Sequence, residues 1–259
     1  MPKFAANLSM LFTEVPFAER FGRARQAGFD AVECQFPYEL PAAEVKALLD
    51  ANGQTMVLHN LPAGDWAGGD RGIACDPARV TEFREGLAKA IDYATQLGVT
   101  KVNCLAGKAP AGVPDAQVRQ TLVGNLRLAA AELKKHGIAL LIEPINNYDI
   151  PGFWLNSTAK ALEVLDEVGA DNAFVQYDIY HAQRMEGELA GTMQKNLSRI
   201  GHIQIADNPG RNEPGSGEIN FAFLFGFLDR IGYTGHIGAE YKPAGQTEAG
   251  LGWIKALAR

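Results

Sequence analysis

Four residues with hard oxygen donors stand at or near the ends of short apolar runs. They are Glu143 after Ile138-Ala139-Leu140-Leu141-Ile142, Asp178 in Val175-Gln176-Tyr177-Asp178, Gln204 in His202-Ile203-Gln204-Ile205, and Glu240 in Gly238-Ala239-Glu240-Tyr241. An ionised carboxylate on a buried strand end is costly unless paired or bound to a cation, and three converging carboxylates repel one another without one. Singly, each carboxylate could pair with a nearby Arg or Lys. Four such groups in register point instead to a shared metal ion. Three carboxylates and an amide oxygen form an all-oxygen set, which suits Mg²⁺ or Mn²⁺ better than zinc, whose sites favour His and Cys.

Other groups could handle a substrate beside that ion. His181 follows Asp178 by three residues, so it can turn back over the same strand end. His59 ends the third apolar run; packed core residue and functional group are both open readings for it. A glycine-rich insert, 60–72, follows His59 and suits a lid, on which Arg71 could reach an anion. Lys108 is a second candidate cation, and the loop 207–215, just downstream of Gln204, carries a third in Arg211. The alternative for all three is that they are solvated loop charges.

Elements able to place these groups are legible in the pattern. Amphipathic runs end at Gly28, Gly53, Gly98, Gly137, Gly169 and Gly232, each followed by a short apolar or β-branched run, which reads as helix, left-handed cap and strand. A further junction is expected near Arg199. Asp76-Pro77 opens one helix, with Val80, Phe83, Leu87, Ile91, Ala94 and Leu97 at helical spacing. Pro114-Asp115 opens another, with Val118, Leu122, Leu126, Ala130 and Leu133 on one face, and Leu162, Leu165 and Val168 mark a third. The expected strands are 4–6, 31–34, 56–59, 102–105, 138–143, 174–178, 203–206 and 237–241. Near-continuous apolar strands alternating with helices imply a parallel sheet. The fold expected is α/β, a single-domain (β/α)8 TIM barrel over 1–259, with catalytic groups gathered at the C-terminal strand ends. An open doubly wound sheet is the rival, but no glycine-rich phosphate fingerprint follows the first strand.

Composition sets outer limits. A formal net charge of −6 gives no global basic field, which disfavours a nucleic-acid partner. No apolar run approaches the ~18 residues of a membrane helix, and the start of the chain lacks a leader pattern, so a cytoplasmic protein with no membrane partner is expected. Cys34, Cys75 and Cys104 lack metal-type spacing and read as reduced, packed thiols. The oligomeric state stays open, a homo-oligomer included.

End to end, the chain resembles the hydroxypyruvate isomerase family of the xylose isomerase-like barrel superfamily. The resemblance is carried by Ala6-Asn7-Leu8-Ser9-Met10-Leu11-Phe12, the segment 59–71, Ile142-Glu143-Pro144-Ile145-Asn146, Gln176-Tyr177-Asp178-Ile179-Tyr180-His181 and Gln204-Ile205-Ala206-Asp207-Asn208-Pro209. It implies metal ligands at Glu143, Asp178, Gln204 and Glu240, with Glu143 and Glu240 also the acid-base pair. Many relatives, the ketose epimerases among them, carry histidine where this chain has Gln204, which weakens a sugar-epimerase reading. The reaction implied is an aldose-ketose type isomerisation of hydroxypyruvate to tartronate semialdehyde through an enediolate, with 2-oxo-tetronates as alternative substrates. His59, Arg71 and Lys108 are candidates to hold the substrate carboxylate. A metal-dependent abasic-site nuclease and a non-catalytic binding protein are the readings from other classes.

Overall fold

The chain's computed structural model describes residues 2–257; Met1 and the last two positions of the expected 1–259 domain lie outside the described residues. Eight strands alternate with helices: β1 (Lys3–Asn7), β2 (Ala31–Cys34), β3 (Thr55–Asn60), β4 (Lys101–Cys104), β5 (Ala139–Ile142), β6 (Ala173–Asp178), β7 (Ile200–Ile205) and β8 (His236–Ala239). All pair in parallel and in sequence order. β1 also pairs with β8, Ala5 opposite Gly238, which closes the barrel and removes the doubly wound alternative.

Strand bounds differ from the expected ones by a few residues. Glu143 is the first residue past β5 and Glu240 the first past β8, so both lie on the rim where the ladder gives way to loop. The junction expected near Arg199 is the start of β7 at Ile200. All six run-ending glycines have positive φ, as a left-handed cap requires. Asp76 caps a short 3₁₀ turn, Pro77–Arg79, rather than the long helix directly; Ala78 N donates to its Oδ1 at 2.9 Å, and helix Val80–Leu97 follows.

The helices close the outer layer. Phe83, Leu87, Ala94 and Leu97 are buried, as are Val118, Leu122, Leu126, Ala130 and Leu133 of helix Asp115–Lys134. Val80 and Ile91 remain half-buried because the apolar stripe runs through Ala90 and Tyr93 instead. Cys34, Cys75 and Cys104 are free and buried, and burial raises the Cys75 and Cys104 thiols to about 12, which keeps them protonated and unreactive. Among the described residues no helix is long and apolar enough to cross a membrane.

Candidate active site

The barrel closes its C-terminal end with a belt of amides and carboxylates that crosses strands. Asn7 Nδ2 of β1 donates to Glu33 Oε1 of β2 at 3.0 Å, and Gln204 Nε2 of β7 reaches the same oxygen at 2.7 Å. Since β2 and β7 are not neighbours, this contact spans the barrel interior. Gln176 Nε2 of β6 donates to Gln204 Oε1 at 2.6 Å and to Glu143 Oε2 at 2.9 Å. Asn103 Nδ2 of β4 continues the belt to Glu143 Oε2 at 2.9 Å and Asn60 Oδ1 at 3.2 Å. Glu240 joins through Asn7 Nδ2 at 3.1 Å and Gln35 Nε2 at 3.0 Å.

Glu143, Asp178, Gln204 and Glu240 are therefore brought to one end of the barrel, all buried. Glu33 fixes which end of the Gln204 amide faces which way: Nε2 is taken by the carboxylate, leaving Oε1 toward the Glu143 side. Asp178 caps helix Ile179–Met185 through Oδ1, which accepts from Tyr180 N at 2.8 Å, while its buried Oδ2 has no hydrogen-bond partner. Burial raises Asp178 to about 7. Burial, together with Glu240 and Asp178, also holds Glu143 well above the usual carboxylate range. Closely spaced carboxylates with an orphaned oxygen are what a cation would resolve. Ligand atoms of Glu143, Asp178 and His181 all lie within 4.8 Å of one another, a spacing open to a metal ion.

One cation already enters this cluster. Arg211 Nη2 donates to Glu240 Oε2 at 2.8 Å and lies 3.9 Å from Asp178 Oδ2, with the guanidinium over the Tyr180 ring. Its Nε is buried without a partner. The residue takes φ of +56°, an uncommon conformation for a side-chain-bearing residue, so its loop has to enforce it. Asp207 supplies the restraint by accepting backbone N–H bonds from Asn208, Gly215, Gly217 and Ile219 at 2.8–3.0 Å.

The remaining expected site residues divide. His181 belongs to the cluster, its Nε2 3.7 Å from Glu143 Oε1 and 3.6 Å from Asp178 Oδ2; burial, then Arg211 and Arg184, keep it neutral. His59 lies elsewhere. Its neighbour Asn60 points to the Glu143 belt, whereas the His59 ring meets Tyr38, with Nδ1 3.3 Å from the hydroxyl, and burial lowers it to about 4. Arg71 stacks on Trp66 at 4.3 Å and donates to the carbonyl of Trp66 at 3.0 Å, and Lys108 donates to the Gly69 carbonyl at 3.3 Å. Both cations tie the 60–72 loop to itself or its base and contact none of the cluster carboxylates. The loop's glycines serve close packing more than freedom: a Cβ on Gly72 would meet Leu105 O at 2.4 Å.

The model of the xylose isomerase-like TIM barrel family matches residues 21–257. Hydroxypyruvate isomerase of Escherichia coli K12 is 56% identical over 254 residues, covering 98% of both chains. The 2-oxo-tetronate isomerase of Cupriavidus necator is 47% identical over 255 residues, again 98% of each. This chain belongs to the hydroxypyruvate isomerase family of xylose isomerase-like barrels. It is an isomerase. A crystal structure described as an AP endonuclease, family 2, from Brucella melitensis superposes with a TM-score of 0.96 at 41% identity, covering 99% of each chain.

For this isomerase, sequence reasoning passed over Glu33, Asn7, Asn103, Gln176 and Asn146, and offered Arg211 only as a third candidate cation, with a solvated loop charge as the alternative. Glu33 carried a signal, a charge inside the apolar run Ala31-Val32-Glu33-Cys34. It is fully buried; burial raises its carboxyl, but His202 at 2.7 Å, with Gln204 and Asn7, overcomes this and holds it below the usual range. Gly238 is what makes room, since a Cβ there would lie 2.3 Å from Glu33 Oε1.

Proposed function

We propose that this isomerase interconverts hydroxypyruvate and tartronate semialdehyde, with Glu143 and Glu240 moving the proton between adjacent carbons. The observation that carries the reading is the pair of buried glutamates on the rims of β5 and β8, reaching one cluster from two sides with Arg211 between Glu240 and Asp178. One carboxylate removes a proton from the hydroxymethyl carbon; the electron pair passes into an enediolate, the hydroxyl proton passes from the outer oxygen to the inner one, and the partner protonates the neighbouring carbon, so carbonyl and hydroxyl trade places. Glu143, Asp178, Gln204 and Glu240 would hold a divalent cation, Mg²⁺ or Mn²⁺, which when bound polarises the carbonyl and steadies charge on the substrate oxygens. His181 binds a substrate oxygen. Arg211, with a buried Nε lacking a partner, is the cation for the substrate carboxylate, a role its depth in the cluster favours over Arg71 or Lys108. Three buried thiols suit a reducing compartment such as the cytoplasm.

The higher identity to the hydroxypyruvate enzyme supports that substrate over 2-oxo-tetronates. A turnover screen of both, with and without Mg²⁺ or Mn²⁺, tests it; higher turnover on the tetronate would reassign the substrate. The name of the Brucella structure raises a nuclease reading. Against it stand the net charge of −6 and, among the described residues, a single cluster of metal-spaced side chains.

Arg211→Lys keeps charge but loses the planar fork, so it should raise KM roughly 10-fold with a smaller change in kcat, the scale of one charge-assisted hydrogen bond. Unchanged KM would return the anion role to the lid.

Metal binding also has a sign in pH. Asp178 rises from its ordinary 3.8 to about 7, and Glu143 is raised as well. A carboxyl with a raised folded pKa contributes stability below its unfolded value and loses it as pH climbs through the folded value. The metal-free protein should therefore lose stability between about pH 4 and pH 7 from these groups. A cation that binds deprotonated ligands restores it most on the alkaline side, by about 2.7 kcal/mol at a hundredfold excess over Kd. Thermal or urea unfolding with Mg²⁺ at about pH 5.5 and pH 8 checks this; equal gains at both would remove the raised carboxylates from the ligand set.

A further inference from the structure

Asn146 takes no part in the proposed reaction, yet it is fully buried in the loop after β5 and touches the His181 imidazole of the cluster. Its Oδ1 accepts backbone N–H bonds from Tyr148 at 3.1 Å and Asp149 at 2.8 Å. Two backbone donors on one atom fix the orientation of the amide, because the NH₂ end could not take that place. Nδ2 is thereby turned the other way, 2.6 Å from His181 Nδ1 and 3.2 Å from Asp149 Oδ2. Two N–H groups cannot meet at the first of those distances. His181 Nδ1 must carry its lone pair there, and the ring proton sits on Nε2.

We infer that Asn146 is a positioning residue that holds His181 as the Nε2–H tautomer, making it a hydrogen-bond donor to a substrate oxygen and excluding it from the metal's coordination sphere. A protonated ring nitrogen has no lone pair to give a cation. The spacing of the three candidate ligands alone does not separate these roles; the Asn146 contact does. Nε2 lies 3.7 Å from Glu143 Oε1 and 3.6 Å from Asp178 Oδ2, too long for hydrogen bonds to either. Its proton remains free for an oxygen entering between them. A fixed donor of this kind strengthens its bond as that oxygen gains negative charge, so the benefit falls on the transition state more than on binding. What the donated bond accomplishes rests on the isomerase reading proposed above; the tautomer does not.

Asn146→Asp is the discriminating variant. It preserves the acceptor for the two backbone N–H groups and replaces the Nδ2 donor by an oxygen, which draws a proton onto His181 Nδ1. Nitrogen-15 NMR of histidine-labelled protein, with and without saturating Mg²⁺ and with His181 assigned through His181→Gln, reads the tautomer directly and needs no turnover. The wild type is expected to show protonated Nε2 and bare Nδ1 in both conditions, and Asn146→Asp to show protonated Nδ1 with kcat lowered about 100-fold, the scale of one transition-state donor, and KM changed less. A wild-type ring protonated on Nδ1, with Nε2 bare or shifted by Mg²⁺, would overturn the inference and make His181 a ligand. So would an Asn146→Asp protein that keeps the wild-type tautomer, or one that switches tautomer and keeps its kcat. Loss of turnover by the wild type on every substrate offered would sink the isomerase reading and leave the tautomer result standing.

Discussion

Glu143→Gln and Glu240→Gln should each lower turnover at least ~100-fold, the low end for losing an acid-base group, with no loss of fold. The two differ in what surrounds them, and that difference predicts their side effects. Glu143 receives Asn103 and Gln176 on one oxygen, Oε2, so a glutamine can set its own oxygen there and leave its NH₂ in the place of Oε1, on the side of the Asp178 carboxylate. Its stability should change little. Glu240 is met by donors on both oxygens, Asn7 and Gln35 on Oε1 and Arg211 on Oε2, so an amide there must set NH₂ against a donor. A cost of about 1–3 kcal/mol follows for Glu240→Gln, and Arg211 should shift away. Exchange of the substrate's carbon-bound hydrogen with solvent, measured for both variants, tests the two-carboxylate step. Near wild-type turnover for either would reduce that glutamate to a metal ligand.

Replacing Glu33 with alanine is expected to destabilise the protein by about 3–5 kcal/mol, the range for removing one partner of a buried ionic pair. The carboxylate accepts from Asn7, Gln204 and His202 in a fully buried setting, and of these only Asn7 has a second acceptor, Glu240 Oε1 at 3.1 Å. Because its folded pKa is depressed, Glu33 contributes stability above the ordinary carboxylate range and loses it as pH falls through the folded value. The gap between wild type and Glu33→Ala in urea unfolding should therefore narrow in acid. Gly238→Ala disturbs the same partners from the opposite side, since its Cβ would lie 2.3 Å from Glu33 Oε1. A gap under ~1 kcal/mol, within the range of an ordinary exposed ion pair, would show that the belt relaxes around the loss.

The barrel was legible because its signals are local. A capping glycine and a four-residue apolar run announce themselves within a dozen positions, and an acidic residue ending such a run is conspicuous. Glu143 and Asp178 stand out that way as strand-end acids. Arg211 stood out only as one of three loop cations, because its place among the carboxylates depends on a left-handed residue and on Asp207 drawing in four backbone N–H groups of the same loop. Glu33 meets His202 across 169 positions, which no window can register. Arg71 and the loop glycines suggested reach and mobility by residue type; in the fold the arginine stacks on Trp66 and Gly72 brings two backbones together, contacts that no sequence pattern announced.

The belt of Asn7, Gln204, Gln176 and Asn103 is made of carboxamides, which neither take up nor release protons in the pH range where the protein functions. It therefore insulates. On the two-carboxylate mechanism proposed above, a proton taken by either glutamate has no side-chain wire to the other along this belt, since every path between Glu143 and Glu240 on that side crosses an amide. Exchange between the two glutamates is left to the mouth side, where His181, Asp178 and Arg211 lie, and product formed in heavy water is expected to carry solvent deuterium on the second carbon even on the first turnover.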